Sequence, residues 1–199
     1  KEMGAKLFSG IPYGLWNTRP GADVDAIAMK NERRTNAVRG LKEVAKHAEE
    51  VGVVICLEIV NRFEQYIANT AEEGIAICEE INNPYCKLLL DTFHMNIEED
   101  YIPDAIRAAS DKGYLGYIHI GEANRKIPNG EKKTNIDWEA IAATIKDIGY
   151  DGPFVMEPFV LESSSSAKSV SLWREIKDGT NIDGLVADAA AGVKFFKSL

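Results

Sequence analysis

The chain has 199 residues, 45% of them hydrophobic and 27% charged, which is the composition of a globular protein large enough to bury a core. A formal net charge of −8 argues against the broad basic surface that nucleic-acid binding needs, and no apolar run reaches the about 18 residues of a membrane helix. Cys56, Cys78 and Cys86 form no C-x-x-C pair and no secretory signal opens the chain, which predicts reduced thiols in a cytoplasmic protein.

The chain begins Lys-Glu-Met-Gly rather than with an initiator Met, so further residues are expected to precede it in the natural protein. Lys6–Ile11 is the first of five short apolar runs. Each run is continuous rather than alternating, as in parallel strands buried on both faces. From Asn31 to Glu50, apolar residues at Ala37, Val38, Leu41, Val44, Ala45 and Ala48 follow a period close to 3.6 and predict a helix. The second run is Val53–Leu57. Thr70 and Glu73 form a capping box ahead of Ile75, Ala76 and Ile77. The runs Leu88–Leu90 and Tyr117–Ile120 follow. Asp137 can cap a helix over Trp138–Ile148, which Gly149 would end. The last run is Phe154–Met156. Ser163–Ser166 reads as a flexible loop, and a final helix is expected from about Asp183 to Leu199.

Repeated βα units with short loops give an α/β fold with a parallel sheet. Five units fall short of the eight strands and about 250 residues of a closed (β/α)8 barrel. An open doubly wound sheet, complete in itself, is the alternative. No glycine-rich phosphate loop follows any run, which disfavours a nucleotide-binding fold.

Four residues of metal-ligand type stand at the ends of four successive runs. Glu58 follows Val-Val-Ile-Cys-Leu, Asp91 follows Leu-Leu-Leu, His119 lies in Tyr-Ile-His-Ile, and Glu157 follows Phe-Val-Met. Parallel strands bring their C-terminal ends to one face, where barrel enzymes build their active sites. Three carboxylates and one imidazole make an oxygen-rich site suited to Mn²⁺, Mg²⁺ or Co²⁺ rather than to a thiolate-seeking metal. Taken singly, each acid is a common helix cap or loop residue, and a histidine in a strand is commonly a satisfied core residue.

The segments around these residues narrow the reading. Cys-Leu-Glu58-Ile-Val-Asn-Arg-Phe-Glu64, Leu-Leu-Asp91-Thr-Phe-His94-Met-Asn-Ile-Glu-Glu, His119-Ile-Gly-Glu-Ala-Asn-Arg125 and Val-Met-Glu157-Pro-Phe resemble the ketose 3-epimerases, the D-tagatose and D-psicose (D-allulose) 3-epimerase family of the xylose-isomerase-like TIM barrels. The resemblance runs over nearly the whole chain. It implies a single domain, 1–199, forming the C-terminal-side part of a (β/α)8 barrel, strands four to eight, without the first three units. It implies one divalent metal, Mn²⁺ before Co²⁺ or Mg²⁺, on Glu58, Asp91, His119 and Glu157. Glu58 and Glu157 resemble the acid/base pair, which would epimerise a free ketose at C3 through an enediolate. Glu64, His94 and Arg125 resemble the groups that hold the C1–C2 end of the sugar, and Trp16 resembles an aromatic pocket wall. His94, three residues past Asp91, is expected in the same loop. The loop from Lys126 to Asn135 departs from the family's Pro-Gly-rich form. The family implies a homo-oligomer, dimer or tetramer, with a small-molecule ketose and no nucleic-acid or membrane partner. The alternatives are another reaction on the same barrel, a sugar isomerase or dehydratase, or an inactive truncated fragment.

Overall fold

In a computed structural model, which describes residues 1–177 and 181–199, five strands form one parallel sheet. They are β1 (Leu7–Gly10), β2 (Val54–Ile59), β3 (Cys86–Asp91), β4 (Leu115–Ile120) and β5 (Phe154–Met156). The order across the sheet is the order along the chain, and every neighbouring pair is parallel. A doubly wound sheet reverses its strand order at a switch point, whereas a βα barrel adds each strand beside the last. The fold is therefore of the α/β barrel type, and the described strands make a parallel half-barrel. Among the described residues, no helix is long and apolar enough to cross a membrane.

The helices are α1 (Ala26–Val51), α2 (Ala71–Ile81), α3 (Thr92–Glu98), α4 (Ile102–Asp111), α5 (Trp138–Asp147) and α6 (Ile182–Ser198). Contacts run from α1 to α2, from α2 to α4 and from α4 to α5, a single layer following the strands. Leu41 and Ala45 of α1, Ile77 of α2 and Ile106 of α4 are buried in one cluster with Leu57, Leu88 and Ile118 of the sheet.

The apolar period locates α1, but the helix starts five residues before the expected Asn31. Asp25 caps it, accepting from the backbone of Ile27 and Ala28. The first turn is mostly exposed, with Ile27 on the surface, so its residues carry no apolar stripe. Gly52 ends α1 in the left-handed region, with φ of 68°. Thr70 caps α2 by accepting from Glu73 N, as the capping box predicts. The return bond differs, because Glu73 Oε2 takes the N–H of Asn69 rather than that of Thr70. Ser163–Ser166 lies in hydrogen-bonded turns, with Ser164 N bonded to Leu161 O and Ala167 N to Ser164 O. All three cysteines are buried and free.

Helices α3 and α4 are absent from the sequence reading. With only seven residues, three of them buried (Thr92, His94 and Met95), α3 shows no apolar repeat. The α4 stripe of Ile102, Ala105, Ile106 and Ala109 is regular, and Pro103 opens the helix where its missing N–H costs nothing.

Candidate active site

Backbone register explains why four side chains from four strands meet. Glu58 pairs with Leu89, and Asp91 stands two residues beyond Leu89. Side chains repeat every two residues along a strand, so Asp91 shares the face of Glu58. Asp91 pairs with His119, His119 pairs with Val155, and Glu157 is two residues beyond Val155. All four therefore project from one face.

That parity depends on an irregularity. Between β3 and β4 the pairing passes from Leu88↔Leu115 to Leu89↔Tyr117, which leaves Gly116 as an extra residue. With unbroken register Asp91 would oppose Ile118, and His119 would point the other way. Glycine fits the bulge because a Cβ there would lie 2.7 Å from Lys87 Cβ and 2.8 Å from Cys56 Sγ. A second tie joins the strand ends. The buried Thr92 hydroxyl donates to Gly121 O at 2.8 Å and accepts from Gly121 N at 2.9 Å.

His119 Nδ1 stands 3.6 Å from Glu58 Oε1, 3.7 Å from Glu157 Oε1 and 3.9 Å from Asp91 Oδ2. One ligand atom from each of the four residues lies within 4.8 Å of all the others. These separations are too long for hydrogen bonds. They suit ligands of one cation, since two atoms each about 2.1 Å from an ion and about 110° apart stand roughly 3.4 Å from one another. His119 Nδ1 is also buried without a hydrogen-bond partner. An unpartnered ring nitrogen set among three carboxylate oxygens fits a cation site, and the donor set fits a divalent ion of the Mn²⁺ or Mg²⁺ type.

The electrostatics of the bare cluster agree. Burial and the charges of Asp91 and Glu58 push the Glu157 carboxyl up to about 7, against the pull of Arg125 and His119. Burial opposes charge on His119, yet Glu58, Glu157 and Asp91 together raise its pKa. Burial also works against a charged Asp91, but Arg125, His94 and the Phe93 N–H hold its pKa low.

The other expected site residues surround this cluster. His94 is not a loop residue. It lies in the first turn of α3, which Asp91 caps by accepting from Phe93 N at 2.7 Å, and it is 1% exposed. Its Nδ1 faces the Asn61 backbone N–H at 3.1 Å, and a backbone N–H can only donate. Burial lowers the His94 pKa, against the pull of the Asp91 charge. The His94 Nε2 faces Arg125 Nη2 at 3.1 Å. Arg125 and His94 thus stand in contact beside the cluster.

Arg125 occupies a tight turn after β4, at φ of 62°. Its N–H donates to Glu122 O, and its own carbonyl accepts from Phe159 N. Glu64 joins Trp16 to the centre, since its Oε2 accepts from Trp16 Nε1 at 2.8 Å and its Oε1 from Asn61 Nδ2 at 3.0 Å. Trp16 is exposed. Sequence reasoning missed Asn61, which is 2% exposed and touches both His94 and Glu64. It also missed Phe93 and Phe159, whose rings lie 3.9 and 5.1 Å from the Arg125 guanidinium. An asparagine or phenylalanine just past a strand carries no signal of such partners.

Residues 1–178 match the family model described as Xylose isomerase-like TIM barrel. The chain is 40% identical over 194 residues to a D-psicose 3-epimerase of Ruminiclostridium cellulolyticum, covering 98% of this chain and 63% of that protein. It is 42% identical over 193 residues to a D-psicose 3-epimerase of Enterocloster bolteae, covering 97% of this chain and 61% of that protein. A crystal structure of D-psicose 3-epimerase with D-tagatose from Clostridium cellulolyticum H10 aligns with a TM-score of 0.87 at 40% identity, over 96% of this chain and 63% of that one. The chain thus spans 61–63% of the length of these curated relatives.

Proposed function

The chain belongs to the xylose isomerase-like TIM barrel family, and from that premise we propose that it carries the metal and proton-transfer site of a ketose 3-epimerase. The substrate would be a free ketose, interconverted at C3 as in the D-psicose–D-fructose or D-tagatose–D-sorbose pairs. The observation that carries the reading is the pair Glu58 and Glu157, held in one cluster with Asp91 and His119 and flanked by His94 and Arg125.

Glu58, Asp91, His119 and Glu157 would hold one divalent ion, Mn²⁺ before Co²⁺ or Mg²⁺. The ion would supply Lewis acidity at the C2 carbonyl and C3 hydroxyl oxygens. Glu58 and Glu157 come from β2 and from the end of β5, with β3 and β4 between them, so a sugar held among them meets one carboxyl on each face of C3. One takes the C3 proton as carboxylate while the other, as carboxylic acid, returns a proton to the opposite face. Their roles exchange when the reaction runs backwards. His94 and Arg125 would hold a sugar oxygen at the C1–C2 end. Glu64 would accept from a hydroxyl there, and Trp16 would wall the pocket. In the same reading 1–199 is one domain comprising strands four to eight of the barrel, in a cytoplasmic dimer or tetramer without nucleic-acid or membrane partners.

The test is incubation of the full-length protein with Mn²⁺ and D-psicose, D-tagatose or D-fructose in deuterated water. The C3 epimer should form, with deuterium entering at C3. Glu58→Gln and Glu157→Gln should each abolish turnover, because each removes one of the two proton carriers. An aldose product or loss of water would assign an isomerase or a dehydratase instead.

A further inference from the structure

Arg125 lies against the ligand side chains themselves. Its Nη1 donates to Asp91 Oδ2 at 2.6 Å and to Glu157 Oε2 at 3.0 Å. The position is built rather than incidental. The backbone turn fixes where the side chain starts. The guanidinium stacks 3.9 Å over Phe93 and 5.1 Å from Phe159, and the side chain is 12% exposed. A fixed positive charge therefore sits in a partly dehydrated place beside two of the four candidate ligands.

Counting charge gives that position a meaning. Glu58, Asp91 and Glu157 as carboxylates carry three negative charges, His119 as a ligand is neutral, and Arg125 adds one positive charge. The total is two negative charges, the amount that one divalent ion cancels. We propose that Arg125 sets the charge of the metal site, matching it to a divalent ion and penalising ions of higher charge. The proposal rests on reading the four-residue cluster as a metal site.

The sign and scaling follow from Coulomb's law. Repulsion between a fixed unit charge and an ion at a given distance is proportional to the charge of the ion. Removing the guanidinium should raise the logarithm of affinity in the ratio three to two for trivalent over divalent ions. A tenfold gain for Mn²⁺ then implies roughly a thirtyfold gain for Tb³⁺. If Arg125 instead only orients Asp91 and Glu157, its removal weakens both ions.

The experiment is calorimetric titration of the full-length protein with Mn²⁺ and, separately, with Tb³⁺. It compares wild type with Arg125→Met, Arg125→Gln and Arg125→Lys, and circular dichroism checks each fold. The two neutral variants should bind Mn²⁺ at least about tenfold tighter, and Tb³⁺ tighter still in the stated ratio. Arg125→Lys, which keeps the charge, should stay near wild type. Without metal, the neutral variants should melt below wild type, since Asp91 and Glu157 lose their ion-pair partner. Weaker or unchanged Mn²⁺ binding in the folded neutral variants overturns the proposal, as do equal gains for both ions. If wild type binds neither ion, the metal-site reading fails with it. If wild type binds and the variants do not follow the charge, that reading stands and only the role of Arg125 falls.

Discussion

Glu122 opens the turn that presents Arg125, and its carboxyl is buried, with Oε1 accepting from Trp138 Nε1 at 2.9 Å. Burial raises its pKa, although the Trp138 N–H and the Thr134 hydroxyl pull the other way. An acid with a raised folded pKa binds its proton more tightly folded than unfolded. Stability is therefore lost as pH rises from the ordinary glutamate value, about 4.3, through the raised one. Below that window both states hold the proton. Glu122→Gln keeps an acceptor for Trp138 and cannot ionise. Its melting temperature relative to wild type should climb as pH rises from about 4 and level off above the raised pKa. A flat difference over that range would mean that burial does not govern this carboxyl. Nothing in the sequence singles Glu122 out from the other acids of the chain. The four candidate ligand residues were legible because their chemistry and their strand-end positions coincide. Asn61 and the two phenylalanines beside Arg125 acquire their roles only from partners that the fold brings close.

At the scale of elements, the site depends on strand register more than on strand identity. The continuous apolar runs locate every strand, but β2 runs on through Ile59 and β3 through Asp91. The candidate ligands Glu58 and Asp91 thus lie inside strands rather than after them, which fixes their direction. The bulge at Gly116 was not legible, because one glycine between Leu115 and Tyr117 says nothing about which residues oppose it. Gly116→Ala tests the bulge directly. Its Cβ would stand 2.7 Å from Lys87 Cβ and 2.8 Å from Cys56 Sγ. Overpacking of this kind costs about 1–3 kcal/mol. Because the strain falls three residues before His119, metal affinity should drop as well, whereas an equal loss of stability placed in α6 should leave it unchanged. Denaturant unfolding and a Mn²⁺ titration on the same variant measure both effects. Intact stability and intact metal binding together would show that the strands absorb the methyl group without moving His119.

Across the whole molecule, the candidate ligands join four strands and leave one out. β2, β3 and β4 carry Glu58, Asp91 and His119, and Glu157 follows β5, while β1 supplies none. That the sheet is parallel could be read from its apolar runs, but its order could not, because a doubly wound sheet uses the same runs. The sequential order is what places all four ligands on adjacent strands. A metal bound there clamps β2 to β5 and should stabilise the folded chain by mass action, by about 2.7 kcal/mol at a free concentration one hundred times Kd. For a chain of this size each kcal/mol moves the melting temperature by about 2–4 °C, so Mn²⁺ should raise it by roughly 5–10 °C and a chelator should reverse the rise. Asp91→Asn should abolish the shift, because it removes a ligand charge at the centre of the clamp. Hydrogen exchange should show where the stabilisation falls. Amides of β3 and β4, between the candidate ligands, should gain the most protection, and those of β1, which pairs only with β2 among the described strands, should gain the least. Uniform protection that includes β1, or a shift that survives in Asp91→Asn, would place the ion somewhere other than the four strand-end residues.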